Sequence, residues 1–280
     1  MKVVVCLKHA ADPATAEFDV GSETLVQPGF LLGPVDFIAL EEALRLADTE
    51  GATVTAVTVG PARADAVLRH ALTYGADAAV RAWAERLEGA DSFTVARVLA
   101  AAVARLRPDV VLLGTRSADS GSGCVAPALA ELLGLPLVAN VVAVTRSGDT
   151  VLATRAGDAG WRDEFSVPLP AVLAVEEGLN EPRYVAVLGR AYRRGLGLSI
   201  EVLTPAALGL GDADLEPAVV TIRIGQLRPR TKVGVRVTGL SMKEKLSVMR
   251  GQTGRKEKEL FTGSPEEAAR LVLGKLEEWL

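Results

Sequence analysis

VVLLGTRSADSGSGCVAPALAELLG, residues 110–134, decides how this chain is read. The run VVLLG reads as a strand covered on both faces, TRSADSGSG as a loop of small residues, and the Ala/Leu-rich remainder as a helix that follows without delay. The first amides of a helix have no intrahelical partner and lie at the positive end of its dipole, so such a junction takes an anion. Gly121 and Gly123 let the backbone approach a ligand, and Ser120 and Ser122 offer hydroxyls. The loop is neither G-x-x-x-x-G-K-[ST] nor G-x-G-x-x-G, and the P-loop lysine is missing. Two readings stay open at this point: a phosphate site, or an ordinary βα turn whose glycines and serines cap a helix.

Outward from this stretch, strand-like runs recur at Lys2–Leu7, Thr53–Val59 and Ala78–Arg81, besides Val110–Leu113. Helical segments are expected at Pro34–Thr49, Ala62–Tyr74, Ser92–Leu106 and Gly123–Leu133, with Pro34 in a first turn and Gly75 at a stop. This alternation predicts a Rossmann-like, doubly wound and mostly parallel sheet, with right-handed crossovers placing helices on both faces. Ligands of such sheets bind beyond the carboxyl ends of the strands at the topological switch point, where the Gly114 loop opens. After Pro136 the pattern turns β-like, at Val138–Arg146, Thr150–Arg155, Glu164–Val167 and Ala171–Val175, with Ser147–Asp149 as a hairpin turn. Residues 1–179 are therefore read as the nucleotide-binding domain and 180–280 as an extended arm. The arm ends in a helix over about 264–279, with Ser264 as its N-cap and Pro265 in its first turn.

Composition narrows the function classes. The chain has 280 residues, 49% of them hydrophobic and 4% aromatic, enough for one substantial aliphatic core. A net charge of -4 gives no bias toward nucleic acid. The basic stretch between Arg223 and Lys258 lacks the aromatic residues that stack bases, so it is read as a solvated face. Cys6 and Cys124 form no CxxC pattern, and a reducing cytoplasm is the simpler setting. The apolar start is too short for a secretory signal, and the stretch Ala128–Val144 is broken by Glu131, Gly134, Pro136 and Asn140. Neither a signal peptide nor membrane insertion is expected.

No catalytic constellation stands out. His9 and His70 lie in no metal-ligand spacing, so no metal site is expected, and the serines lack the G-x-S-x-G elbow. Asp12, Asp36 and Asp119 sit at loop or helix starts, where capping is the ordinary role of aspartate. A nucleotide site without base, nucleophile or metal points to a binding or carrier role rather than an enzyme.

The segment VEEGLNEPRYVAV (Val175–Val187), and LNEPRY within it, resembles the signature of the β subunit of electron transfer flavoproteins. The resemblance extends in order and spacing through KVVVCLKHAAD, GPVDFIALEEALRL, VTVGP, LTYGADAAV and the Gly114 loop. It implies an electron-carrier subunit paired with an α subunit that holds most of the FAD, while the β subunit shields one side of the flavin and binds AMP. Electrons would pass from flavin-dependent dehydrogenases, such as acyl-CoA dehydrogenases, to a quinone-linked oxidoreductase or other acceptor.

By the same resemblance the nucleotide site comprises Cys6, the turn Gly33, Pro34, Val35 and Asp36, then Val59, and the loop with Gly114, Thr115, Asp119, Ser120, Gly121, Ser122, Gly123, Cys124 and Val125. The segment of about 185–197 corresponds to the family's recognition loop, with Val187 or Leu188 as the apolar anchor and Arg190, Arg193 and Arg194 as its basic neighbours. The chain departs from the family pattern at Gly33, Gly121 and Cys124, where asparagine, an acid and a polar residue are usual. The ligand is then expected to rest on backbone donors and Ser122. The alternatives are an electron-bifurcating β subunit with a second FAD in place of AMP, and an ATP-binding enzyme or sensor of related fold.

Overall fold

The computed structural model describes residues 1–15, 17–19, 24–26, 29–185 and 195–218, with Met242, Ser264, Glu267 and Arg270 beyond them. Val187, Leu188, Arg190, Arg193 and Arg194, the basic stretch, and most of the expected C-terminal helix lie outside the described residues. The chain divides into the units Met1–Gln226 and Leu227–Leu280. In the second unit the Ser264 N–H donates to Glu267 Oε2 at 2.8 Å and the Glu267 N–H donates to Ser264 Oγ at 3.3 Å. This is the reciprocal pair of a helix start.

In the first unit, β1 (Lys2–Cys6) is followed by the short β2 (His9–Ala11), β3 (Glu17–Asp19), β4 (Thr24–Val26) and β5 (Phe30–Leu32), which lead into α1 (Pro34–Glu50). Next come β6 (Thr53–Val59), α2 (Asp65–Tyr74), β7 (Ala78–Ala82), α3 (Ser92–Leu106), β8 (Val110–Gly114) and α4 (Val125–Leu133). The antiparallel β9 (Leu137–Ser147), β10 (Thr150–Ala156) and β11 (Arg162–Pro168) precede β12 (Ala171–Val175) and β13 (Ile200–Leu203). Among the described residues nine of these strands form one sheet in the order β11-β10-β9-β12-β8-β1-β6-β7-β13, in which β10 runs against the rest.

Alternation along β1 sorts the core. Val3 and Val5 pack with Leu40, Leu44, Leu68 and Leu112 on the side of α1 and α2. Val4 and Cys6 pack with Leu99, Val103, Leu113 and Leu129 on the side of α3 and α4. Helices on both faces of a mostly parallel sheet make a Rossmann-like, doubly wound α/β fold. From β1 the chain builds outward through β6 and β7, then returns to lay β8 on the other side of β1. The switch point therefore lies between β1 and β8.

Several elements differ from the sequence expectation, among them the short strand pairs β2–β5 and β3–β4, which it did not include. Helix α4 starts at Val125 rather than Gly123, because Gly123 takes φ 63°, a left-handed conformation that a right-handed helix excludes. The helix expected over Ala62–Tyr74 opens as a 3₁₀ turn, Ala62–Ala64, before α2. Beyond 179, Ile200–Leu203 joins the sheet beside β7, and Leu203 and Leu215 are buried, so the core draws on chain expected to form the arm. His70 stacks on Tyr74 with centroids 4.2 Å apart and meets Phe37 edge-on, which is a packing role. Among the described residues no helix is long and apolar enough to cross a membrane.

Candidate functional site

A cavity of about 430 Å³ opens at the switch point, walled by the ends of β1, β6 and β8 and by the starts of α1, α3 and α4. It follows from the order of the strands: where neighbours leave the sheet in opposite directions, their loops part and leave a crevice. Of the residues expected at a nucleotide site, Cys6, Asp36, Val59, Gly114, Thr115, Ser120, Ser122, Gly123 and Val125 line it. Gly33, Pro34, Val35, Asp119, Gly121 and Cys124 do not line it. Gly33 precedes α1, whose first residues are Pro34 and Val35, and Cys124 is exposed with its thiol donating to the Ser122 carbonyl at 3.3 Å.

The Gly114 loop is tied down on both sides. The Thr115 N–H and hydroxyl both donate to the Val175 carbonyl, at 3.0 and 2.8 Å, fastening the loop to the end of β12. On the other side Lys8 Nζ donates to Asp119 Oδ1 at 2.6 Å, and the Ser120 N–H donates to the same oxygen at 2.6 Å. Partial burial would raise the Asp119 carboxyl, but hydrogen bonds from Lys8, Ser117 and Ser120 outweigh it and hold the group down at about 2. Asp119 is thus an ionised strut for the loop.

Asp36 occupies the third position of α1, yet its carboxylate accepts from main chain outside that helix. The Lys8 N–H donates to its Oδ2 at 2.8 Å, and the Gly114 N–H donates to it as well. Helix capping, the role expected from sequence, is therefore not the one it has. Burial pushes this carboxyl up to about 6 against the lowering effect of the two amides. Burial, and then the Asp36 charge, also push the neighbouring Cys6 thiol up, which keeps it a protonated wall residue.

Two helix starts meet at the cavity. Ser92 begins α3 and Ser122 precedes α4, and their hydroxyls lie 3.2 Å apart. In α4 the first amides have no carbonyl to bond within the helix, and Pro127 has no N–H at all, so the donors concentrate at Val125 and Ala126. Lys8, Asp91, Ser92, Arg116 and Ser117 also line the cavity and were missed from sequence. Asp91 and Ser92 did carry a signal, since DS before FTVARVL is a helix-start pattern at the next βα junction. Asp91 Oδ1 accepts the Phe93 and Thr94 N–H groups, both at 2.8 Å. Replacing Asp91 with Ala is expected to cost about 1 kcal/mol of folding stability, measurable by urea denaturation.

The LNEPRY motif lies elsewhere, against α1. Asn180 Nδ2 donates to the Ile38 carbonyl at 3.2 Å and to Glu42 Oε2 at 2.9 Å. Arg183 grips Glu41 through Nε and Nη2 at 2.9 and 3.1 Å, adds its N–H at 3.0 Å, and reaches Asp48 at 2.8 Å. Glu41 and Glu42, 4% and 6% exposed, are thereby satisfied. Among the described residues no three His, Cys, Asp or Glu side chains gather as a metal site.

The Electron transfer flavoprotein domain family matches residues 27–207. The chain is 33% identical over 249 residues to the electron transfer flavoprotein subunit beta of Bacillus subtilis, covering 84% of this chain and 95% of that protein. It is 38% identical over 189 residues to the protein of that name from Clostridium acetobutylicum, with 67% and 73% covered. It is 30% identical over 195 residues to the acryloyl-CoA reductase electron transfer subunit gamma of Anaerotignum propionicum, with 68% and 73% covered. With the doubly wound sheet and the LNEPRY clamp, these matches establish that the chain belongs to the electron transfer flavoprotein family as a β-type, electron-transfer subunit.

Proposed function

We propose that this chain is the non-catalytic β subunit of a cytoplasmic heterodimeric electron transfer flavoprotein and holds AMP in the switch-point cavity. An α-type partner holds most of the FAD, which supplies the redox chemistry. Electrons arrive from flavin-dependent dehydrogenases of the acyl-CoA type and leave to a quinone-linked acceptor.

The observation that carries the nucleotide reading is the charge balance of the cavity. Among the described lining residues the two cations, Lys8 and Arg116, are paired with Asp119 and Glu176, at 2.6 and 3.5 Å, while Asp36 and Asp91 add negative charge to the wall. A triphosphate would meet no free cation among the described lining residues, whereas a single phosphate is served by neutral donors. Ser92, Ser122 and the first amides of α4 would hold that phosphate, and Val59, Val95 and Leu99 suit the face of a purine.

The test is to co-express the chain with its α-type partner, purify the complex, release its ligands by heat and identify them by mass spectrometry. Equal amounts of FAD and AMP are expected. Release of ATP would favour an ATP-binding enzyme or sensor, and FAD at twice the amount of the complex would favour the bifurcating type. Absence of flavin would overturn the carrier reading.

A further inference from the structure

The lips of the cavity are Gly114, the last residue of β8, and the backbone just after β1, and one side chain joins them. Asp36, 7% exposed, reaches out of α1 and accepts the Lys8 N–H at 2.8 Å and the Gly114 N–H. Those two amides lie at the ends of the strands between which the order of the sheet reverses, Gly114 closing β8 and Lys8 just beyond β1. The approach is close, since a Cβ at position 114 would stand 2.6 Å from Asp36 Oδ1 and 3.4 Å from the Asp36 amide nitrogen. Removing or turning this carboxylate therefore moves a strand end rather than a surface group.

We propose that Asp36 is the positioning residue of the cavity: ionised, it holds the ends of β1 and β8 at the spacing a nucleotide requires, and protonated, it releases one of them, so that nucleotide retention depends on pH. The inference rests on the nucleotide reading above. An ionised carboxylate offers only acceptors and satisfies both amides, whereas a protonated one turns one oxygen into a donor that faces an N–H.

Among the described residues, the charged and titratable groups facing Asp36 are Cys6 at the end of β1, Lys8 just after it, and Asp119 in the loop after β8. Burial keeps the Cys6 thiol protonated, and Asp119, held down at about 2 by its hydrogen bonds against the effect of burial, stays ionised through the neutral and mildly acidic range. Burial brings Asp36 up to about 6, so it is the carboxyl here that changes state between pH 7 and 5. The sign follows: the two-amide grip is complete above that range and is lost as pH falls through it.

The experiment uses the full heterodimer and AMP as the probe. Bound AMP is measured after rapid gel filtration from pH 8 to pH 5, while the ¹⁵N–¹H shifts of Lys8 and Gly114 are followed over the same range. AMP retention is expected to fall with a midpoint near pH 6, and the two amide shifts to move together with that midpoint. Asp36→Asn, which places an NH₂ donor against one amide, is expected to weaken AMP binding about tenfold or more at every pH and to abolish the midpoint. Retention that stays flat with pH, or amides that titrate independently in the wild-type complex, overturns the proposal whether or not the variant folds. If the wild type holds no AMP at any pH, the nucleotide reading fails. The amides then decide whether Asp36 ties the strand ends: joint titration supports this and separate titration refutes it.

Discussion

Arg183→Ala is expected to lower the folding free energy of the chain by about 3 kcal/mol, because it strands Glu41 as a buried carboxylate without its guanidinium. Breaking one side of such a pair costs more than never having made it. The arginine also makes the bond to Asp48, but that carboxylate is 62% exposed and can return to water at little cost. Equilibrium denaturation in urea measures the loss. The decisive comparison is the double variant Arg183→Ala with Glu41→Gln, which removes the uncompensated charge and should recover more than half of the lost stability. A loss below about 1 kcal/mol in the single variant, or no recovery in the double, would mean that the motif contributes shape and not charge pairing. Arg183→Lys is expected to fall between, since an ammonium cannot make the two-pronged contact.

Gly114→Ala is expected to weaken AMP binding at least about tenfold and to cost about 1–3 kcal/mol of stability. The new methyl would stand 2.6 Å from Asp36 Oδ1 and 3.3 Å from Val35 Cγ1, so the loop or the carboxylate must shift. Gly114 is not held in a left-handed conformation, which makes the effect one of space alone. Gly134→Ala supplies the contrast. That residue has φ 63° with nothing within 4 Å of a Cβ, so its substitution should cost about 1 kcal/mol of backbone strain and leave AMP binding unchanged. Isothermal titration of both variants with AMP checks the pair, and equal losses of affinity would sink the steric explanation.

The layered architecture was legible because β8 and β12, and the middle of β1, are aliphatic. Val3, Val4 and Val5, Val110 to Leu113, and Ala171 to Val175 are all buried, and such runs can be little else in a chain that alternates with amphipathic helices. The switch-point position of the cavity follows from that order of elements. What the residues did not disclose lies in contacts distant along the chain. Nothing in the local sequence marks Glu41 and Glu42 as buried, and only Asn180 and Arg183, 138 and 142 positions away, make their burial affordable. Asp36 read as a cap for the same reason, since its partners Lys8 and Gly114 come from other elements. The edge strand Ile200–Leu203 escaped notice because four residues between glycine-rich neighbours are too few to show a period.

The central place of β1 has a consequence in time. Of the strands in this sheet β1 is made first, and it has one partner, β6, within some fifty residues, but the other, β8, follows only at Val110, and the Lys2 N–H finds its Asp109 acceptor 107 positions downstream. A nascent chain cut off before Val110 would carry an apolar strand with one bare edge, the kind of intermediate that chaperones bind. The residues that complete the middle of the sheet are also those that open the cavity. In the growing polypeptide, the cavity and protection from aggregation therefore arrive together.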